Sequence, residues 1–192
     1  MAEEQVITTR RLIVIGGSSG SLDALLAILP KLNKDFSIPI LIVMHRSINT
    51  DNALTELLAA KTSLQIKEAD EKDHLLPGWI YLAPPDYHVL LEEDGTLSLD
   101  ASEKVYYCRP SIDVSFKSAA RIYKKNCIAV LLSGANADGA RAMGDVKDCG
   151  GRNIVQDPAE ALVDYMPRQA ILLSPVDEIL PATGIAALLN ML

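Results

Sequence analysis

Three side chains that could do chemistry each follow a short apolar run in the sequence. They are Ser18, His45 and Asp138, and the runs before them are residues 12–15, 38–44 and 127–132. A hydroxyl, an imidazole and a carboxylate are the components of a nucleophilic triad. In such a triad the serine attacks a carbonyl carbon, the histidine accepts its proton, and the aspartate orients the imidazole and stabilises its charged form.

The segments around these side chains predict a fold that would bring them together. Continuous short apolar runs are typical of strands buried on both faces of a parallel sheet. Three segments between these runs and one after the last of them predict helices: 21–32, 51–60, 110–125 and 140–148. This alternation predicts one α/β domain with a doubly wound, mostly parallel sheet and helices on both faces. Ligands bind at the carboxyl ends of the strands in such sheets, so we expect Ser18, His45 and Asp138 on one rim.

The middle and the end of the chain depart from this alternation. Residues 87–91 and 96–99 flank a turn-forming Glu93-Asp94-Gly95 segment, which predicts an antiparallel hairpin at one edge of the parallel core. Pro110 is expected in the first turn of its helix, since proline suits that position. Residues 179–192 predict an apolar closing helix that is interrupted near Gly184.

Each triad candidate also has a purely structural interpretation. Ser18 could cap the helix after the glycine turn, and Asp138 could cap the helix that follows its own loop. His45 could be a buried, hydrogen-bonded core residue. His88, which precedes a hairpin strand, is interpreted as structural or rim-lining, and His74, in a charged loop, as solvated.

The glycine turn at residues 16–20 leaves a second chemistry open, the binding of a phosphate at a helix N-terminus. The dinucleotide-binding fingerprint Gly-x-Gly-x-x-Gly is incomplete, because Ile15 occupies the position of its first glycine. His45-Arg46 stands where the ribose-binding acid is expected, although Arg46 could meet the 2′-phosphate of NADP. No lysine follows the glycines, which excludes a P-loop.

Composition narrows the function classes further. The net charge of −7 argues against a nucleic-acid surface and against docking on an anionic membrane. Residues 1–10 lack the pattern of a signal peptide, and no apolar run approaches the roughly 20 residues of a membrane span, so we expect a cytoplasmic protein without membrane insertion. The three scattered cysteines match neither a disulfide framework nor a zinc site, and we expect no metal.

Six ordered blocks between residues 12 and 180 resemble one known family. They read IGGSSGS, IVMHRS, LPGWIYLAPPDYHV, RPSIDVSF, LLSGANADGARAM and MPRQAI. In that order and spacing they are similar to the catalytic domain of the chemotaxis protein-glutamate methylesterase, which has a doubly wound, mostly parallel sheet. The resemblance implies that Ser18 is the nucleophile, His45 the base and Asp138 its carboxylate partner.

The resemblance also implies the rest of the chemistry. Backbone N–H groups of Ser19 and of the Gly134–Ala135 region would bind the oxyanion, and no cofactor is implied. Members of the family hydrolyse methyl esters of glutamate on the cytoplasmic helices of chemoreceptors and release methanol, and some also deamidate receptor glutamines. The expected partner is therefore the methylated cytoplasmic domain of a chemoreceptor.

Two departures from the family's pattern bear on regulation and activity. Residues 1–10 are too short for the family's usual N-terminal receiver domain, so we expect a single catalytic domain over 1–192. Such a domain would be constitutively active or controlled by a separate regulatory protein. Ala135-Asn136-Ala137 stands where the family has Met and Gly after Gly134, which leaves a non-catalytic, receptor-binding module of the same fold as the alternative function.

Overall fold

The computed structural model describes residues 11–46 and 53–192. Within those ranges the chain forms nine strands and six α-helices. The strands are β1 (Leu12–Gly17), β2 (Ile40–Met44), β3 (Gln65–Glu68), β4 (Trp79–Leu82), β5 (His88–Leu91), β6 (Leu97–Asp100), β7 (Cys127–Leu131), β8 (Arg152–Gln156) and β9 (Glu178–Leu180). The helices are α1 (Ser21–Ile28), α2 (Ala53–Ala59), α3 (Ile112–Tyr123), α4 (Ala142–Asp148), α5 (Tyr165–Leu173) and α6 (Ala182–Leu189). None of these helices has the length and apolarity needed to span a membrane.

A seven-stranded sheet forms the centre of the described structure, in the order β3-β4-β2-β1-β7-β8-β9. Every neighbouring pair of strands in it is parallel. The chain first builds one side of β1 and then returns to add β7, β8 and β9 on the other side. Strand order therefore reverses next to β1, and ligands bind at such switch points in open α/β sheets. Ser18 directly follows β1 and so lies at the centre of the expected rim.

Helices cover both faces of the sheet and divide the core into two layers. One layer contains α3, α4 and α5 and packs against Leu12 and Val14 of β1, while the other contains α1, α2 and α6 and packs against Ile13 and Ile15. Successive side chains of a strand point to opposite faces, so a strand covered on both faces needs a continuous apolar run. The predicted α/β fold class with helices on both faces of a mostly parallel sheet is confirmed.

The predicted hairpin forms from β5 and β6, which pair antiparallel in a two-stranded sheet of their own. It packs against α3, where the Ser115 Oγ donates to the Val89 C=O at 2.7 Å. The Leu91 N–H donates to the Ser118 Oγ of the same helix at 3.2 Å. The hairpin therefore fixes α3 from outside the sheet, and α3 in turn brings its N-terminus to the rim.

The start of α3 differs from the prediction. Pro110 was expected in the first turn, but the helix begins at Ile112, and Ser111 is its N-cap, with an Oγ that accepts from the Val114 N–H. Serine is preferred at an N-cap because its hydroxyl satisfies an N–H that has no partner within the helix. The helix predicted over 51–60 is found as α2, and its residues 51 and 52 lie outside the described residues.

The prediction for the C-terminal segment is partly wrong. Ile179 lies in β9 and pairs with Val155 of β8, so it does not belong to the closing helix. That helix, α6, begins after Pro181 and continues through Gly184 without interruption. A short apolar run fits a strand as well as a helix, and proline cannot continue a helix from the preceding residues.

Candidate active site

Ser18 lies in the tight turn between β1 and α1. Its N–H donates to the Ser133 C=O at 2.9 Å, and its C=O accepts from the Ser21 Oγ at 2.6 Å. The turn requires glycine at position 17, because a Cβ on Gly17 would come within 2.4 Å of the Ser21 Cβ. Gly20, with φ of 81°, is the N-cap of α1, so Ser18 does not cap that helix. The backbone of Ser18 is therefore fixed on both sides, at the carboxyl end of the central strand.

His45 follows β2, and its backbone contacts the residue directly before Ser18. Its N–H donates to the Gly17 C=O at 3.2 Å, which extends by one residue the parallel register that pairs Gly17 with Met44. The His45 Nε2–H donates to the Asp138 Oδ2 at 2.7 Å. The His45 Nδ1 is buried and has no hydrogen-bond partner among the described residues. One nitrogen of the imidazole is therefore held by a carboxylate while the other is open for a proton.

The Asp138 carboxylate is fully buried and accepts hydrogen bonds from three donors besides His45. The N–H groups of Ile112 and Asp113 donate to it at 2.7 and 3.0 Å, and the Ser111 Oγ donates at 2.8 Å. These donors belong to the N-cap and first turn of α3, where the helix dipole stabilises a negative charge. Asp138 therefore caps α3, and not the helix after its own loop as the structural interpretation expected.

The structure thus brings together Ser18, His45 and Asp138, the three residues selected from the sequence. They follow β1, β2 and β7, which are neighbours in the sheet with β1 in the middle. Their convergence follows from the shared direction of the strands, since the carboxyl ends of parallel strands meet at one edge. The arrangement supplies a hydroxyl after β1 and, after the neighbouring β2, an imidazole held by a buried carboxylate.

Asp113 is a candidate functional residue that the sequence analysis missed. Its Oδ1 accepts, at 3.0 Å each, from the N–H of Gly139, in the loop that carries Asp138, and from the N–H of Ala142, where α4 begins. Burial raises the pKa of the Asp113 carboxyl, and the hydrogen bond from Ala142 acts in the opposite direction. The sequence feature that pointed to Asp113 was its position as an acidic residue in the first turn of a predicted helix. Acidic residues are favoured there in any helix, so this position alone does not indicate a function.

The backbone N–H groups expected to bind an oxyanion fall into two classes. The Gly134 N–H donates to the Val163 C=O at 3.1 Å and is therefore occupied. The N–H groups of Ser19 and Ala135 donate to no acceptor in the described part of the chain. The Ser133 Oγ donates to the Ser19 C=O at 2.7 Å and ties the two loops together. Ser19 and Ala135 thus stay candidates for the oxyanion site, and Gly134 does not.

Asn136 organises the loop that departs from the expected pattern. Its Oδ1 accepts from the Asp138 N–H at 3.1 Å, and its Nδ2 donates to the Cys108 Sγ at 3.4 Å. The side chain therefore links the backbone of Asp138 to the neighbouring turn at 105–108. The substituted loop is held by its own hydrogen bonds and still delivers Asp138 to His45.

The other two histidines lie in different environments. His88 is buried, its Nδ1 accepts from the Ser111 N–H at 3.0 Å, and its Nε2–H donates to the Glu103 C=O at 3.0 Å. Both nitrogens of His88 are therefore occupied, in agreement with the structural interpretation. His74 is exposed, as predicted.

The Arg46 side chain is engaged within the protein. It forms an ion pair with Glu68 and donates to the Ala83 C=O at 3.0 Å, and only 6% of the side chain is exposed. Burial lowers the pKa of the Arg46 guanidinium. Arg46 is therefore not presented to a 2′-phosphate, which removes the main argument for NADP.

The described residues give little support for a metal site or for a reactive thiol. Across 11–46 and 53–192, no group of three or more His, Cys, Asp or Glu side chains could hold a metal ion. Cys108, Cys127 and Cys149 are free thiols. Burial raises the pKa of the Cys127 thiol to about 12, so this group is a poor nucleophile.

Comparison with known proteins assigns the fold and the sequence to one group. The model of the CheB methylesterase family matches residues 13–189. A relative from Leptospira interrogans is 44% identical over 92% of this chain and 91% of its own length. The crystal structure of the Thermotoga maritima CheB methylesterase catalytic domain has a TM-score of 0.90 and 35% sequence identity, and the match covers 94% of this chain and 97% of that one.

Two further relatives are longer proteins. The protein-glutamate methylesterase/protein-glutamine glutaminase 1 of Carboxydothermus hydrogenoformans is 38% identical over 92% of this chain. The protein-glutamate methylesterase FrzG of Myxococcus xanthus is 35% identical over 93% of it. The matches cover 54% and 53% of these two proteins, so this chain spans about half of their length.

Proposed function

The chain belongs to the CheB methylesterase family, whose enzyme class is protein-glutamate methylesterase, and we propose that it is a serine hydrolase that removes methyl esters from glutamate side chains of chemoreceptor cytoplasmic helices. The observation that carries the proposal is the 2.7 Å hydrogen bond between Asp138 and His45, whose backbone N–H donates to the C=O of Gly17, directly before Ser18. The names of the longer relatives support the substrate class. Because receptor tails of this kind lie inside the cell, the proposal includes a cytoplasmic location.

The hydrogen bond at the Nε2 of His45 determines which ring nitrogen accepts the proton. Since Nε2–H is bound to Asp138, Nδ1 is the atom that accepts the proton from the Ser18 hydroxyl. The Ser18 Oγ attacks the ester carbonyl carbon, the C–OCH₃ bond breaks, and His45 returns the proton to the leaving methoxide, which departs as methanol. Water then attacks the acyl-enzyme by the same route and releases glutamate.

Specific groups of the protein stabilise the charges that develop during the reaction. The imidazolium formed at His45 is stabilised by the buried Asp138 carboxylate. The negative charge on the carbonyl oxygen is bound by the N–H groups of Ser19 and Ala135, which are free of other acceptors in the described residues. A glutamine side chain would form the same acyl-enzyme with ammonia as the leaving group, so the proposal extends to deamidation.

The test is methanol release from a methylated receptor cytoplasmic fragment. Ser18→Ala removes the nucleophile, so we expect kcat to fall about 10⁴-fold or more. Ser19→Ala is the matched control, because the neighbouring serine is expected to act through its backbone N–H, which alanine retains. We expect Ser19→Ala to keep kcat within a few-fold of the wild type.

Two results would count against this proposal. Full activity in Ser18→Ala would exclude Ser18 as the nucleophile. A folded wild-type protein that binds the methylated fragment but releases neither methanol nor ammonia would favour the alternative function, a receptor-binding module without catalysis.

A further inference from the structure

Two buried aspartates hold each other's backbone at the rim of the sheet. Asp138 accepts from the N–H groups of Ile112 and Asp113 at the start of α3. Asp113 accepts in return from the N–H of Gly139, in the loop after β7, and from the N–H of Ala142, the first residue of α4. We call this set of four backbone hydrogen bonds to two carboxylates the aspartate clasp. It joins α3 to the loop that carries Asp138.

The Asp113 half of the clasp acts at the two ends of a short segment. The Gly139 N–H belongs to the peptide directly after Asp138, and the Ala142 N–H opens α4. The N-cap position of α4 is Arg141, whose side chain makes no capping hydrogen bond. The Asp113 carboxylate therefore caps this segment from another helix. Without it, two buried N–H groups next to Asp138 lose their acceptor.

We propose that Asp113 is a positioning residue for the reaction, holding the Asp138 loop so that the carboxylate stays within hydrogen-bond distance of His45. The inference rests on the proposed function, because it assigns Asp113 a role in the same site. Asp113 does not contact His45 or Ser18 through any described hydrogen bond, so its effect passes through the loop. Displacement of a catalytic group by about 1 Å can cost on the order of 100-fold in rate.

The geometry also defines which property of Asp113 matters. Both hydrogen bonds end on the same atom, Oδ1, and both donors are neutral N–H groups. An asparagine keeps a carbonyl oxygen at that position and can accept both bonds without a negative charge. The role therefore belongs to the acceptor oxygen, and Asn should replace Asp113 where Ala cannot.

The activity test compares Asp113→Ala with Asp113→Asn. We expect Asp113→Ala to lower kcat on the order of 10- to 100-fold, with KM changed less than about threefold, because the substrate contacts persist. Asp113→Asn should stay within a few-fold of the wild type. Ser115→Ala is the matched control, since it removes one buried hydrogen bond of α3, to the Val89 C=O, without touching the Asp138 loop. Ser115→Ala should lose stability but keep kcat.

A second readout does not depend on catalysis. The proton shared between the His45 Nε2 and Asp138 should give a low-field imidazole resonance in the NMR spectrum, assigned by its loss in His45→Gln. We expect Asp113→Ala to shift or broaden this resonance, while Asp113→Asn and Ser115→Ala retain it. If the wild-type protein released no methanol, the proposed function would fail, and the resonance would still test whether Asp113 holds Asp138.

The inference is overturned if Asp113→Ala keeps both the wild-type kcat and the resonance. It is also overturned if Asp113→Asn is as impaired as Asp113→Ala, because the negative charge would then be the required property. Should Asp113→Ala fail to fold, Asp113→Ser takes its place, since its hydroxyl oxygen lies one bond closer to the backbone than Oδ1 and leaves at least one of the two N–H groups without an acceptor. An unchanged kcat and resonance in folded Asp113→Ser would equally contradict the proposal.

Discussion

The surroundings of His45, the proposed base, and of His88 differ in one respect, the partners of their ring nitrogens. Both side chains are at most slightly exposed, and both are linked to Ser111, His88 directly and His45 through Asp138. His88 has a partner on each nitrogen, a backbone N–H and a backbone C=O. His45 has a carboxylate on Nε2 and no described partner on Nδ1.

Burial alone does not distinguish the two histidines. A histidine with a backbone partner on each nitrogen has no nitrogen open to a reacting group. A histidine with a carboxylate on one side and an open nitrogen on the other can accept a proton and be stabilised as a cation. The two regions share one hydrogen-bonded chain, and its His45 end meets the strand that carries Ser18, the proposed nucleophile, through the hydrogen bond to the Gly17 C=O.

The largest predicted effect separates the two histidines in activity. His45→Gln removes the proton acceptor, so we expect kcat for methanol release to fall by about 10⁴-fold. His88→Leu leaves the triad atoms in place, and its kcat should fall less than about tenfold, since its effect passes through Ser111. Steady-state kinetics on the methylated receptor fragment measures both. Equal losses of kcat in the two variants would show that His45 and His88 do not differ in their role in the reaction.

A smaller effect separates the histidines in stability. His88→Leu leaves the buried Ser111 N–H without an acceptor, which costs about 1–3 kcal/mol of unfolding free energy. His45→Gln should cost less, because its amide can donate to Asp138 in place of the imidazole. Urea denaturation of the two variants gives the comparison. A greater destabilisation by His45→Gln would show that His45 is the more structural residue.

The smallest predicted effect concerns the pH dependence of the clasp that supports the His45 end. Because the pKa of the Asp113 carboxyl is raised in the folded state, the folded chain binds the proton of this carboxyl more tightly than the unfolded chain does. The stability from Asp113 is therefore present below its unfolded pKa, about 4, and is lost as the pH rises through the folded pKa. Asparagine carries no such proton.

Asp113→Asn should accordingly gain unfolding free energy relative to the wild type between about pH 4 and pH 8. Urea denaturation of both proteins at the two pH values measures the difference. A difference that stays constant or falls with rising pH would contradict the assigned sign.

The sequence supported Ser18, His45 and Asp138 because each follows an apolar strand, and parallel strands bring their carboxyl ends to one edge. It could not identify Asp113, since that residue meets Gly139 only after α3 packs against the loop that follows β7. The choice between the Gly134 and Ala135 N–H groups likewise depends on a tertiary contact, the Val163 C=O.

The error at Ile179 has a related cause. A three-residue edge strand is defined by its partner in the sheet, here Val155, and carries no periodicity of its own. What the sequence predicted well were the long buried runs whose pattern fixes the strand. What it missed depends on which distant backbone groups become neighbours when the helices pack.

The most direct test of the central claim, that Ser18 is the nucleophile activated by His45, is to identify the acyl-enzyme. The wild-type protein is mixed with a methylated receptor peptide, quenched in acid within the first turnover, and analysed by mass spectrometry. We expect an adduct of the peptide minus methanol on Ser18, and none in His45→Gln. An adduct on Ser19, Ser21 or another side chain, with Ser18 unmodified, would contradict it.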